Sequence, residues 1–146
     1  MHAATDRDHL PPYTLLFDGD CAVCDRTVTW LLARDPSGVL AYAPLQGPTA
    51  TAIRDRHPEW PANLDSLVLV IQGEDGERVL FYSTAVLTAV GNLAGFLPFV
   101  CRTLLWIPAP LRDPFYRGFA RVRYSIFGKL DTCRLPMPGE AERFYA

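Results

Sequence analysis

The sequence predicts an α/β fold in which four strands form a sheet flanked by helices. Strand-like and helix-like segments follow one another in the order strand, helix, strand, helix, hairpin, helix. The chain has 146 residues, of which 49% are hydrophobic and 21% charged, enough apolar material for one core without disulfide staples. Two cysteines, Cys21 and Cys24, stand between the first predicted strand and the first predicted helix.

The first strand and helix enclose these cysteines. Residues 13–17 are short, apolar and bounded by turn residues, which predicts a buried strand. The acidic turn after this strand contains Asp18, Gly19 and Asp20. A helix then extends to residue 34, because apolar residues recur at helical spacing. These residues are Cys24, Val28, Leu31 and Leu32.

Three further strands complete the predicted sheet. Residues 39–43 form the second strand, and residues 48–57 form a short helix. Residues 67–71 are apolar on both faces, which predicts a central strand. An acidic turn and a return strand over residues 78–82 complete a hairpin. Ser83 follows where the N-cap of a third helix is expected.

The carboxyl-terminal half contains a long uncharged run and a final helix. Residues 84–101 carry no charge, but Thr84, Thr88 and Asn92 form a polar stripe at helical spacing. We therefore expect a packing helix here and not a membrane-spanning one. Pro114 fits the first turn of the last helix. The apolar seam of that helix comprises Phe115, Phe119, Val122 and Ile126.

The predicted domain organisation is simple. Residues 1–12 form a flexible leader, and residues 13–146 form one domain. Within this domain, residues 13–95 make the core, and residues 96–146 make a helical extension with a loosely structured tail. No apolar signal segment precedes the first strand, so we expect a cytoplasmic protein. In the cytoplasm a CxxC pair is more often catalytic or metal-binding than structural.

Charge is unevenly distributed along the chain. The net charge is −2, which argues against a nucleic-acid-binding protein that depends on phosphate neutralisation. Residues 1–78 carry a net charge of −6, and residues 102–146 carry a net charge of +4. We therefore expect the basic carboxyl-terminal third to fold back onto the acidic body, with an external anionic partner as the alternative.

The spacing of the two cysteines indicates redox chemistry. A thiol attacks a disulfide as the thiolate, and a helix N-terminus stabilises that anion through its unpaired N–H groups and its dipole. Cys21 stands at the start of the predicted helix, so we assign it as the nucleophile. Cys24 lies three residues further on the same helix face, where it can resolve a mixed disulfide.

The acidic residues around the pair act in the opposite direction. Asp18, Asp20 and Asp25 all lie near the cysteines in sequence, and each carboxylate would raise a thiol pKa. Our hypothesis is that Arg121 or Arg123 pairs with Asp18 or Asp20 and so offsets this effect.

Other chemistries could use the same residues. A CxxC can be half of a zinc site or an inert structural pair. The strand ending in Asp18 and Asp20 also resembles the first motif of haloacid-dehalogenase-type phosphatases, whose aspartates act as nucleophile and acid/base beside Mg²⁺. That chemistry needs a downstream lysine, but Lys129 is the only lysine and lies beyond the predicted sheet. We expect Cys101 in the core and Cys133 as a spectator thiol.

The acidic turn and both cysteines resemble the signature of the DCC family of predicted thiol-disulfide oxidoreductases. The resemblance extends over residues 13–145, nearly the whole chain. Beyond the turn, it is carried by residues 43–46 (Ala-Pro-Leu-Gln), 65–68 (Asp-Ser-Leu-Val), 82–87, 107–108, 111–113, 123–124, 127–129 and Cys133.

The resemblance implies a thioredoxin-like fold: a mixed four-stranded sheet flanked by helices, with a carboxyl-terminal helical extension. It implies thiol-disulfide exchange without a cofactor, acting on a thiol or disulfide of a protein or small molecule. The residues expected to shape the site are Asp18, Gly19, Asp20, Ser66, Arg123 and Tyr124. The alternative from another class is a non-catalytic module that binds a partner or a metal.

One departure from the thioredoxin pattern concerns the substrate. Thioredoxins and glutaredoxins place a cis-proline just before the third strand, facing the CxxC. The corresponding place in this chain is near Asp65 and Ser66, with no proline. The sequence therefore favours a narrower substrate or a small-molecule thiol over general exchange on peptides.

Overall fold

The computed structural model describes residues 11–18, 22–62, 64, 66–93, 95–127 and 143–144. Its strands are β1 (Tyr13–Phe17), β2 (Leu40–Pro44), β3 (Val68–Gly73) and β4 (Gly76–Phe81). Its helices are α1 (Ala22–Arg34), α2 (Pro48–Arg56), α3 (Tyr82–Gly91), α4 (Phe96–Leu104) and α5 (Ala109–Phe127). The predicted fold class is confirmed: a mixed four-stranded sheet with flanking helices, consistent with a thioredoxin-like fold.

The sheet has the order β2-β1-β3-β4. Strands β1 and β2 are parallel, with Phe17 opposite Pro44, and α1 provides the crossover between them. Strands β1 and β3 are antiparallel, with Leu16 opposite Val68, and β3 and β4 form the predicted hairpin. Four of the five β1 residues are buried because helices cover both faces of the central strand.

Side chains alternate between two cores along each strand. The larger core lies against α1 and α3 and includes Leu15, Phe17, Val28, Leu31, Leu40, Tyr42, Leu69, Ala85, Ala89 and Phe144. The smaller core lies against α2 and consists of Leu16, Ala43, Ala50, Ile53, Val68 and Val70. The predicted central strand therefore contributes to both cores.

Three predictions about the carboxyl-terminal half were wrong in detail. Ser83 does not cap α3, which begins one residue earlier at Tyr82, with Phe81 as the N-cap residue. The uncharged run divides into α3 and α4, since Gly95 takes a φ of +119° between them. Pro114 lies inside α5, which begins at Ala109. Residues 1–10 of the predicted leader lie outside the described residues, and so does most of the predicted tail.

No helix in the described ranges is both long and apolar enough to cross a membrane.

Two residues of the predicted loose tail contact the main body of the fold, and one of them, Phe144, belongs to the larger core. Phe144 is 3% exposed, stacks on Tyr42 with ring centroids 5.3 Å apart and forms a β-bridge with it. Arg143 donates hydrogen bonds to the Leu40 and Asp35 carbonyl oxygens and forms an ion pair with the Asp35 carboxylate. The prediction of a loose tail is therefore wrong at these two positions. The Arg143–Asp35 ion pair is one contact of the kind that the predicted fold-back of basic residues onto the acidic body requires.

A polar cluster fixes α2 to the β3–β4 hairpin. The Glu77 carboxylate accepts two hydrogen bonds from Arg56, at 3.1 and 2.7 Å, and one from Gln72 at 2.6 Å. His57 Nε2 lies 2.9 Å from the same carboxylate. Burial of Glu77 raises its pKa, but the hydrogen bonds from Arg56, His57 and Gln72 outweigh burial and hold the pKa below the ordinary 4.5.

This cluster predicts a loss of stability in acid. A carboxyl group whose pKa is lower in the folded than in the unfolded chain stabilises the fold fully above the unfolded pKa and loses this effect as the pH falls through the folded pKa. We expect the free energy of unfolding to decrease below pH 4.5, and to decrease less in Glu77→Gln. Urea unfolding at a series of pH values measures how steeply the free energy of unfolding changes with pH, in the wild type and in Glu77→Gln. Glu74→Gln, in the exposed hairpin turn, should keep the wild-type slope, and an equally steep slope in Glu77→Gln would contradict the prediction.

Candidate functional site

Four strand ends meet at one edge of the sheet, which we name the site edge. Strands β1 and β2 end there at Phe17 and Pro44, which are opposite each other in the parallel register. Strand β3 begins there at Val68, and β4 ends there at Phe81, opposite Val68. The segments that leave these strand ends therefore collect at one place in the fold, as is usual for ligand sites in α/β proteins.

Helix α1 begins beside this edge. Its first residue is Ala22, five residues after the end of β1 at Phe17, and Val28 and Leu31 fix it in the larger core. Cys24 lies in the first turn of α1. The predicted nucleophile Cys21 precedes Ala22 in sequence and, with Gly19 and Asp20, lies outside the described residues. The side chain of Cys24 lies outside them as well.

Asp18 is the first predicted site residue that the structure places in atomic detail. It follows β1 directly and is 5% exposed. Gln46 Nε2 donates a hydrogen bond of 2.8 Å to its Oδ1, and the Leu45 N–H donates one of 2.8 Å to the Phe17 carbonyl oxygen. The segment after β2 thus holds the segment after β1, and a buried carboxylate lies at the site edge. Sequence reasoning missed Gln46, although it belongs to one of the motifs that carry the resemblance.

Ser66 lies at the same edge, two residues before β3. Its side chain is fully buried, and its Oγ has no hydrogen-bond partner in the part of the chain that the structure describes. Since Leu16 is opposite Val68, the β1–β3 register continued by two residues places Ser66 opposite Asp18. A buried hydroxyl without a partner costs free energy, and among the described residues Ser66 shares this property with Thr14 and Thr49.

The start of α3 completes the site edge. Tyr82 takes a φ of 55°, a left-handed conformation that costs a residue with a side chain about 1–2 kcal/mol. Two residues of α5 contact its ring: Tyr116 lies edge-on with centroids 6.3 Å apart, and the Arg117 guanidinium lies 4.5 Å from the ring centroid. Packing against α5 therefore holds a strained residue in place at this edge.

Polar contacts join the same two helices. The Ser83 hydroxyl donates to the Asp113 carboxylate, and Arg112 Nη1 donates to the Ser83 oxygen at 2.9 Å. Arg112 Nη2 also donates to Thr84 Oγ1 at 3.3 Å. Helix α5 is thus attached to the site edge through groups that sequence reasoning did not assign to the site. The change from a net negative to a net positive charge along the chain was the signal that could have indicated Arg112 as a contact between the two parts.

The predicted arginine contacts are resolved only in part. The Arg121 side chain is exposed, and between the described side chains no ion pair joins it to Asp18. Asp18 is hydrogen-bonded to Gln46. The pairings that involve Asp20 or Arg123 lie outside the described residues, so the hypothesis stays a prediction. Arg123 and Tyr124 lie in the last turns of α5, but their side chains are outside the described part.

Cys101 lies away from this edge. It is 7% exposed in the larger core, as predicted, and burial raises the pKa of its thiol. A buried thiol with a raised pKa forms little thiolate and is a poor nucleophile. Cys133 lies outside the described residues.

The positions of the acidic residues bear on the phosphatase alternative. Glu74 and Asp75 lie in the turn between β3 and β4. That turn is at the edge where β1 begins, since Tyr13 pairs with Ile71, so it is at the opposite edge from Asp18. Within the described ranges, no group of three or more His, Cys, Asp or Glu side chains is arranged to hold a metal ion.

Comparisons with known proteins identify the family of this chain. The profile of a family described as DCC1-like thiol-disulfide oxidoreductase matches residues 15–129. The uncharacterized protein YuxK of Bacillus subtilis is 34% identical over 138 residues, which cover 94% of this chain and 96% of YuxK. A chloroplastic DCC family protein of Arabidopsis thaliana is 29% identical over 121 residues, covering 83% of this chain and 68% of the plant protein. No solved structure matches significantly. The cytoplasmic location stays a prediction.

Proposed function

This chain belongs to the DCC1-like thiol-disulfide oxidoreductase family, and we propose that it catalyses thiol-disulfide exchange with Cys21 as the nucleophile and Cys24 as the resolving thiol. The observation that carries the proposal is the start of α1 at Ala22, directly after Cys21 in sequence and close after the end of β1. A cysteine at this junction has unpaired helix N–H groups and the positive end of the helix dipole to stabilise its thiolate.

The proposed reaction has two displacements. The Cys21 thiolate attacks one sulfur of a substrate disulfide, forms a mixed disulfide and releases the other substrate sulfur as a thiolate, which takes up a proton. The Cys24 thiolate then attacks the Cys21 sulfur and releases the second substrate thiolate. The substrate disulfide gains two electrons, and the dithiol becomes the Cys21–Cys24 disulfide. Two equivalents of an external thiol reverse these steps: the first opens the Cys21–Cys24 disulfide to a mixed disulfide, and the second releases the external disulfide and regenerates the dithiol.

Asp18 is proposed to act as the proton-handling group near this dithiol. It is buried at the site edge, where a carboxylate can accept the proton of a thiol that is about to attack. Gln46 holds the carboxylate in place through its 2.8 Å hydrogen bond. Gly19 and Asp20 would shape the same turn, and Ser66 would border it from the start of β3.

The substrate is proposed to be a small thiol or disulfide, or one specific protein. The fully buried Ser66 precedes β3 where thioredoxins have the proline that holds an extended peptide. Arg123 and Tyr124 remain candidates for contacts with such a substrate, since α5 is already joined to the site edge through Arg112 and Asp113.

An equilibrium redox titration tests the dithiol directly. The full chain carrying Cys133→Ser is equilibrated in glutathione or dithiothreitol buffers, alkylated, and analysed by intact mass. We expect a reversible two-electron transition between about −120 and −270 mV, the range of known oxidoreductases. Cys101 should be alkylated only after unfolding, because it is buried. Failure to form a Cys21–Cys24 disulfide in any buffer, or thiols blocked until a chelator is added, would favour the partner-binding or metal-binding module instead.

A further inference from the structure

Among the residues that the structure describes, the exposed large apolar side chains come from one segment, residues 96–122. Within the described part of the chain, no large apolar side chain outside this segment is exposed to the same degree. We call this set the α4–α5 surface. Its members are Phe96, Leu97, Phe99, Leu104, Trp106, Ile107, Leu111, Phe115, Phe119 and Val122. The most exposed are Trp106 at 89%, Phe115 at 82% and Phe96 at 79%.

Helix α5 has its polar side toward the protein and its apolar side toward solvent. Its residues Arg112 and Asp113 form hydrogen bonds with α3, and Tyr116 packs on Tyr82. Its apolar residues Leu111, Phe115, Phe119 and Val122 recur at helical spacing and are exposed. This is the reverse of the usual arrangement for a helix on a globular protein in water.

Helix α4 also leaves aromatic side chains in solvent. Pro98 and Cys101 are buried, while Phe96 and Phe99 are exposed with ring centroids 6.4 Å apart. Trp106 follows in the connection to α5. An exposed apolar set of this size marks a surface that another molecule covers.

The charges in this segment indicate the chemistry of that molecule. Residues 96–122 contain four arginines and one aspartate, Asp113, whose carboxylate is occupied by the Ser83 hydroxyl. By contrast, residues 1–78 contain 12 of the 16 acidic residues. Residues 96–122 therefore have a net charge of +3. Arg102 and Arg112 are hydrogen-bonded to groups of α3, and Arg117 lies over the Tyr82 ring. Arg121 is exposed on α5 next to Val122, so the α4–α5 surface combines its aromatic groups with a positive charge at this position.

We propose that the α4–α5 surface binds to the surface of a lipid bilayer that contains anionic headgroups. Exposed tryptophan and phenylalanine favour the boundary between headgroups and acyl chains, and arginine side chains can extend from that depth to the phosphates. With 9 residues, α4 is too short to span a bilayer, so it lies on the surface. A protein partner would need a complementary shape for side chains that project along two helices and their connection, whereas a fluid interface does not. The proposal does not depend on thiol exchange.

Vesicle flotation tests the proposal with the full-length, reduced protein. We expect it to float with vesicles of mixed phosphatidylcholine and phosphatidylglycerol, weakly with phosphatidylcholine alone, and less as salt is added. The double variant Trp106→Ser/Phe115→Ser should lower the partition constant about tenfold or more. Arg121→Gln should lower it about fivefold, while the control Arg54→Gln, on the exposed side of α2, should have no effect. Thermal unfolding of each variant confirms that it is folded.

Tryptophan fluorescence locates the contact. Brominated phosphatidylcholine in the anionic vesicles should quench the wild-type emission, and Trp106→Phe should remove the quenched component while binding is retained. The proposal is overturned if the protein does not float, or if the double variant floats like the wild type. It is also overturned if sedimentation shows that the surface joins two copies, with a dimer that the double variant dissociates and no binding to vesicles.

Discussion

Replacing Cys21 with serine is expected to lower the rate of disulfide reduction by at least about a thousandfold. A serine hydroxyl is not ionised near neutral pH and gains no useful nucleophilicity from a helix N-terminus, whereas a thiol at that place does. The measurement is the single-turnover reduction of oxidised glutathione by the reduced full chain, with Cys133→Ser as the parent so that one spectator thiol is removed. The parent should react and the Cys21→Ser variant should not.

Cys24→Ser provides the matched control, because the two cysteines have different roles. This variant should still attack the disulfide and release one equivalent of thiol, but it should stop as a mixed disulfide that intact mass detects at Cys21. If Cys24→Ser showed no adduct and Cys21→Ser did, the two roles would have to be exchanged. If neither substitution changed the rate, the proposed exchange reaction would be wrong.

The largest expected effect on stability is at Asp35. Its carboxylate is 2% exposed, accepts the N–H groups of Val39 and Leu40 at 2.9 Å each, and pairs with Arg143. Asp35→Ala would leave two backbone donors without acceptors and a guanidinium without its counter-charge. We expect a loss of about 3 kcal/mol in the free energy of unfolding. This value is the lower end of the range for breaking a buried ion pair, because 21% of the Arg143 side chain is exposed.

Urea unfolding at neutral pH measures this loss, and two further variants interpret it. Asp55→Ala replaces an exposed aspartate on α2 and should change stability by less than about 0.5 kcal/mol. Arg143→Ala combined with Asp35→Ala should cost less than the sum of the two single changes, since the pair acts as a unit. Additive single effects would show that the ion pair contributes little.

The sheet could be predicted from the sequence because each strand carries a local signal. Apolar runs bounded by turn residues mark β1 and β3, and the structure places both within two residues of the predicted limits. The start of α5 carries no such signal. Pro108, Pro110 and Pro114 all suit a helix start, and the structure has Pro110 in the first turn. Arg112 contacts side chains about thirty residues away at the start of α3, so local sequence alone does not distinguish the three prolines.

The site was predictable to the same extent. The junction of strand and helix follows from residues 13–24, which are close in sequence, whereas the burial of Asp18 was not predicted. Gln46 and Ser83 were missed as site residues because their partners are distant: Gln46 bonds to a residue 28 positions away, and Ser83 to one 30 positions away. The exposure of Phe115 also could not be predicted, since a helical apolar seam ordinarily faces a core.

The contacts of Phe144 and Arg143 have a consequence for the order of folding. Arg143 bonds to Asp35 across 108 residues, and Phe144 stacks on Tyr42 across a similar separation. During synthesis β1, α1 and β2 leave the ribosome first and begin to associate. Until residue 144 has been made, the core that they share lacks the Phe144 ring beside Tyr42, and the Asp35 carboxylate lacks its ion pair with Arg143. The amino-terminal half therefore acquires its final packing only after residue 144 has been synthesised.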